Sequence, residues 1–155
     1  MKTQELELRL ATFFDFRRNL IVPRIAPGLV IPYEADLIIV TPSRWATEVE
    51  IKISASDIRA ESKKSPWAHR SENIKKFYYA VPEDLADCKY LPQDCGLISV
   101  MENPGKYDLV CEIIRPPKIN KEAAKITDAQ YIYLSRLGCM KIWTLKEKLL
   151  WGKMG

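Results

Sequence analysis

The chain has 155 residues, 47% of them hydrophobic and 28% charged, the balance of a soluble globular domain long enough to bury a core. A net charge of +4 permits a nucleic-acid partner without requiring one. The opening MKTQELELRL holds no signal-peptide core, no run is long enough to span a membrane, and Cys88, Cys95, Cys111 and Cys139 lack CxxC spacing. These features weigh against a membrane protein and a zinc site, and they predict a cytoplasmic protein with reduced thiols.

Residues 3–16 read as a helix. Leu6, Leu10, Phe13 and Phe14 recur at i, i+4, i+7 and i+8 on one stripe, Thr3 is a candidate cap, and Glu7 borders the stripe. Residues 19–24 read as a first strand, with Pro23 arguing for an edge position. After a turn over residues 25–32 come two apolar, β-branched runs, 35–41 and 46–53, joined by Pro42-Ser43-Arg44. Their shortness and the breakers between them predict neighbouring antiparallel strands. Residues 58–64 form a short helix capped by Ser54 or Ser56. Further strands are predicted at 77–81 and 96–101, with a turn of helix at 83–88 between them. A hairpin partner follows at 108–115, across the Asn103-Pro104-Gly105 turn. From 121 to 150 the pattern is helical, in two pieces broken near Gly138, with Trp143 and Trp151 anchoring it to the sheet. The order predicts one domain over residues 1–155: an α/β mixed sheet (core about 3–115) with C-terminal helices (about 120–151).

Chemistry concentrates on the two central strands. Side chains alternate faces along a strand, so Glu48, Glu50 and Lys52 share one face while Val49, Ile51 and Ile53 share the other. Asp36 interrupts the preceding apolar strand. Acids inside apolar strands are costly unless paired or metal-bound. No GxGxxG, GxxxxGK[ST] or Gly-x-Ser-x-Gly is present, and His69 is the only histidine. Asp36 and Glu50 brought together suit a hard ion such as Mg²⁺ or Mn²⁺, with the backbone carbonyl of Ile51 as a further ligand. Lys52 would orient a water or stabilise developing charge in phosphodiester hydrolysis.

A strand-borne Asp followed by Glu-x-Lys on the next strand resembles the PD-(D/E)XK nuclease superfamily, whose restriction-endonuclease-like core is αβββαβ. The text EVEIKISASDIRAESKK, FYYAVPEDL and LPQDCGLISV is more specific and resembles the MmcB-like family of DNA-repair nucleases. The resemblance covers about residues 33–100. It implies a Mg²⁺-dependent nuclease acting on DNA in repair, with Asp36 and Glu50 as metal ligands, Lys52 as the catalytic lysine and Glu7 as an accessory helix acid. The literal Pro-Asp pair is missing, which leaves Glu34 as a competitor to Asp36, and Glu48 is either a solvated neighbour or an extra ligand.

Other readings stand beside this one. Asp36 pairs with Arg44, or Glu50 and Lys52 form an ion pair on a solvated face. Trp67 packs or stacks on a base, and His69 is a surface or packing residue. Lys63, Lys64 and Arg70 form a phosphate-binding track or a solvated face. As a whole, the chain is alternatively a catalytically inactive nucleic-acid-binding module of the same fold. A third reading gives the C-terminal helices an exposed stripe around Tyr131, Leu134, Leu137 and Trp143 that mediates homodimer or repair-partner contacts.

Overall fold

Most strands send alternate side chains into two separate apolar clusters, and this alternation fixes the architecture. The computed structural model describes residues 1–62, 67, 70–105 and 108–152. The elements run α1 (Thr3–Phe13), β1 (Leu20–Ile25), β2 (Ala35–Val40), β3 (Ala46–Ile51), α2 (Ala55–Glu61) and β4 (Ile74–Pro82), then β5 (Gly96–Glu102), β6 (Leu109–Arg115) and α3 (Asp128–Trp151). The six strands lie in sequence order in one mixed sheet. β3–β4 and β4–β5 are parallel, and the other pairs are antiparallel. A parallel pair needs a crossover, and α2 lies within the one between β3 and β4.

On one face Val22, Ile38, Val40, Ala46, Phe77 and Tyr79 pack with Ile58 of α2 and Leu134 of α3. On the other, Leu37, Ile39, Val49 and Ala80 pack with Leu6 and Leu10 of α1, both fully buried. Burying a leucine contributes about 1.5–3 kcal/mol, so these two residues fix α1 to the sheet. The sheet is thus covered on both faces, and β1, which carries Pro23, is an edge strand as its sequence predicts.

Several boundaries differ from the sequence expectation. α1 ends at Phe13, and Thr3 lies inside it. The Glu5 carboxylate accepts the Lys2 backbone N–H at 2.5 Å, so Lys2 takes the capping position. Ser54 does cap α2, accepting from the Asp57 N–H at 3.3 Å. The C-terminal region holds one helix of 24 residues rather than two. Gly138 stays helical because it faces β1, where an added Cβ would meet Val22 Cγ2 at 3.7 Å. The left-handed stop falls at Gly152, φ 60°. Residues 121–127 are not helical. This stretch runs past the start of β4, with the Asn120 N–H donating to Lys75 O and the Ala124 N–H to Glu72 O, each at 2.9 Å. Thr127 and Gln130 then form a capping box for α3. Trp143 and Trp151 do not anchor α3, being 65% and 66% exposed; buried Leu134 and half-buried Tyr131 and Leu137 do.

Candidate functional site

The hairpin between β2 and β3 sets the geometry. Its turn closes through the Arg44 N–H to Thr41 O (2.8 Å) and the Thr41 N–H to Trp45 O (3.0 Å), with Arg44 left-handed at φ 72°. The Arg44 guanidinium lies 3.5 Å from the centre of the Tyr131 ring and 3.6 Å from Asp128, so its partners are on α3 and it does not pair with Asp36. The turn fixes the pairs Leu37–Val49 and Ile38–Glu48. One step further, the same register sets Asp36 opposite Glu50, on the face of Ile38 and Val40. Like charges directly opposite one another in a sheet are destabilising.

The ladders loosen around this pair. Asp36 Oδ2 accepts the backbone N–H of Ile51 at 2.7 Å, so a carboxylate takes the place of a strand carbonyl. On the other side of β2, Arg24 lies in register with Asp36, between the pairs Pro23–Leu37 and Ile25–Ala35. Its φ of 48° is a left-handed conformation that is uncommon for a residue with a side chain. Backbone strain of this kind collects at functional sites.

Lys52 follows β3 and joins two acids. Its Nζ donates to Glu50 Oε1 at 3.1 Å and to Glu61 Oε1 at 2.7 Å. Glu61, the last residue of α2, also accepts from the Tyr79 hydroxyl at 3.3 Å. Sequence reading passed over Glu61 and Tyr79. The only signal was an acid at the end of the crossover helix, and only the return of that helix over β3 brings it to Lys52. The Glu50–Lys52 pair is not on a solvated face, since both side chains are largely buried, at 16% and 12% exposed.

The electrostatics are those of crowded acids. Burial raises the Glu50 carboxyl above its ordinary range, and the charge of Asp36 adds to this while Lys52 opposes it. Burial alone would lower the Lys52 ammonium, but hydrogen bonds to Glu61 and the charge of Glu50 outweigh it and hold the lysine above its usual value. Glu7 on α1 belongs to the same field. Burial raises its carboxyl, Arg24 at 3.7 Å opposes this, and Asp36 raises it further. Glu34 is exposed and lies outside β2.

Two expectations are corrected. Glu48 is neither a solvated neighbour nor a free ligand. It is fully buried, its Oε2 accepts from the Tyr33 hydroxyl at 2.7 Å, and its Oε1 pairs with the Arg70 guanidinium. Burial pushes its carboxyl up to about 7, with Arg70 and Tyr33 pulling the other way. Arg70 therefore turns inward, its guanidinium 4.1 Å from the centre of the Phe77 ring, rather than lying on an exposed phosphate track. The Tyr33 hydroxyl also accepts the Ser71 N–H at 3.0 Å, so the network ties the approach to β2, strand β3 and the entry to β4 together. Trp67 packs: its indole donates to Asp94 O at 2.7 Å and meets Phe77 edge-on. Lys63, Lys64 and His69 lie outside the described residues.

Among the described residues no three His, Cys, Asp or Glu side chains form a metal-holding group. The Asp36–Glu50 pair beside the Ile51 peptide nonetheless has donor chemistry that fits a hard divalent ion, because Mg²⁺ takes one or two carboxylates and keeps several waters. No helix among the described residues is long and apolar enough to cross a membrane.

Comparison with known proteins adds the fold alone. No family model and no curated protein matches the chain. A solved protein of unknown function from Silicibacter pomeroyi is similar in structure. It has a TM-score of 0.62 and 19% sequence identity, over 96% of this chain and 91% of that one.

Proposed function

We propose that this chain is a metal-dependent DNA nuclease with a restriction-endonuclease-like core, hydrolysing phosphodiester bonds in DNA repair. The observation that carries the reading is the pair Asp36 and Glu50, set opposite each other on adjacent strands with Lys52 beside them. The element order α1–β1–β2–β3–α2–β4 supports the αβββαβ core. Mg²⁺ or Mn²⁺ would be held by Asp36, Glu50 and the Ile51 carbonyl, with Glu7 nearby. When bound, such an ion supplies a more acidic water and neutralises charge on the phosphate.

The protein's own part falls to Lys52. Held protonated by Glu50 and Glu61, it offers N–H donors to a phosphoryl oxygen or to the attacking water. Glu61 is a positioning residue that acts through Lys52, and the Tyr79 hydroxyl orients Glu61 in turn.

The test is cleavage of labelled single-stranded, duplex and branched DNA, with Mg²⁺ and with chelator. The wild type should cut in Mg²⁺ and stop with chelator. Lys52→Met should lose about 10²–10³-fold in rate, the usual cost of removing one such donor, while remaining folded. A second reading, a catalytically silent nucleic-acid-binding module, is favoured by one observation: Lys52 is already committed to two carboxylates. Absence of cleavage by folded wild type across the whole panel would sink the nuclease reading and leave that one.

A further inference from the structure

A groove of about 600 Å³ runs between α1 and α3 across the outer part of the sheet. Ile21, Pro23 and Leu145 contribute apolar surface to it, Phe16 is 48% exposed along it, and Arg24, Lys141 and Lys148 bring three cations. Among the described residues the single acid lining it is Glu7, which connects the groove to the field of Asp36. The size is that of a small-molecule or single-nucleotide site, for which about 300–1,000 Å³ is typical.

The cations are built in. Lys141 Nζ donates to the backbone oxygen of Arg24 at 2.8 Å, bridging α3 to the strained residue of β1. Among the described residues three cations line the groove against the one acid Glu7. Burial and the neighbouring Arg24 charge both depress the Lys141 ammonium, with Glu7 opposing them. Aromatic surface beside clustered cations is the pairing that binds unpaired bases and their phosphates. Bases already paired and stacked in a duplex offer no free face to such a floor.

We propose that the α1–α3 groove binds an unpaired nucleotide of a DNA strand, its base against Phe16 and the apolar floor and its phosphates on Arg24, Lys141 and Lys148. The inference rests on the nuclease reading only for what happens at the neighbouring carboxylates. It predicts a preference for DNA carrying a single-stranded segment.

The test is fluorescence anisotropy of a labelled short oligothymidylate and of a duplex of equal length, both with chelator so that cleavage is silent. The wild type should bind the single strand more tightly. Phe16→Ala should weaken it about ten-fold by loss of stacking. Lys148→Gln should flatten the log–log salt dependence by about 0.7. Exposed Lys118, just past β6 at the opposite edge of the sheet, is the control, and Lys118→Gln should bind like wild type. Circular dichroism checks that each variant is folded, and half-buried Lys148 keeps the test decisive if Phe16→Ala is not. Wild-type affinity in both groove variants, equal or tighter duplex binding, or an equal loss of affinity in Lys118→Gln would overturn the proposal. Failure of cleavage with these binding results intact would count against the nuclease reading only.

Discussion

Arg70→Met separates two roles that the sequence left open for one residue. In the structure Arg70 partners a carboxylate with no solvent exposure, Glu48 of β3, within a buried network that includes Tyr33. Removing one partner of a buried ion pair costs about 3–5 kcal/mol, because the other charge is left behind. For a domain of this size that corresponds to a fall of about 6–20 °C in Tm. The pH dependence gives the sign. The Glu48 carboxyl is raised to about 7 in the folded protein from 4.5. Between those values the native state binds more protons than the unfolded one, so this group favours folding at low pH and its penalty is complete above about 7. Without Arg70 the carboxyl shifts further up, so the deficit of the variant grows as pH rises. Chemical denaturation at about pH 5 and about pH 8 should therefore show the larger loss at the higher pH. A variant with unchanged stability and weakened DNA binding would refute this reasoning and return Arg70 to a phosphate track.

Three further outcomes follow. Gly138→Ala should raise stability by about 0.5–1 kcal/mol in thermal denaturation, since the glycine is inside a helix and the added methyl meets Val22 at ordinary contact distance, 3.7 Å. Mn²⁺ affinity, followed by titration across pH, should increase as pH rises above the ordinary carboxylate range, because Glu50 must lose a proton that burial and Asp36 help it keep. Glu61→Gln should cut the cleavage rate with little change in metal affinity, because it frees Lys52 from one of its two carboxylate partners; an equal loss of metal binding would make Glu61 a ligand instead.

The parts of the site that lie close in sequence were legible. Alternation and the turn at residues 42–44 predict the β2–β3 hairpin, and from it the meeting of Asp36 with Glu50 and Lys52. Contacts made across the chain were not. Glu61 looks like one acid among several on a polar helix until α2 is laid over β3. Glu48 and Arg70 stand 22 residues apart, and an acid on the Glu50 face reads as solvated until that face proves to be part of the core. Gly138 suggested a helix break because local propensity says nothing of the packing of α3 on β1. The tryptophans of α3 suggested burial by composition, whereas the helix extends beyond the strand it packs on and leaves them exposed. Arg24 gave no signal, since nothing in an arginine within an apolar strand announces a left-handed backbone opposite Asp36.

The proposed nuclease function requires Asp36 and Glu50 to hold a divalent ion together. Calorimetric titration of Mg²⁺ and Mn²⁺ into wild type, Asp36→Ala and Glu50→Ala tests it most directly. The wild type should bind the ion, and both variants should lose binding while remaining folded. No binding by folded wild type in the millimolar range, or binding that survives both substitutions, would contradict it.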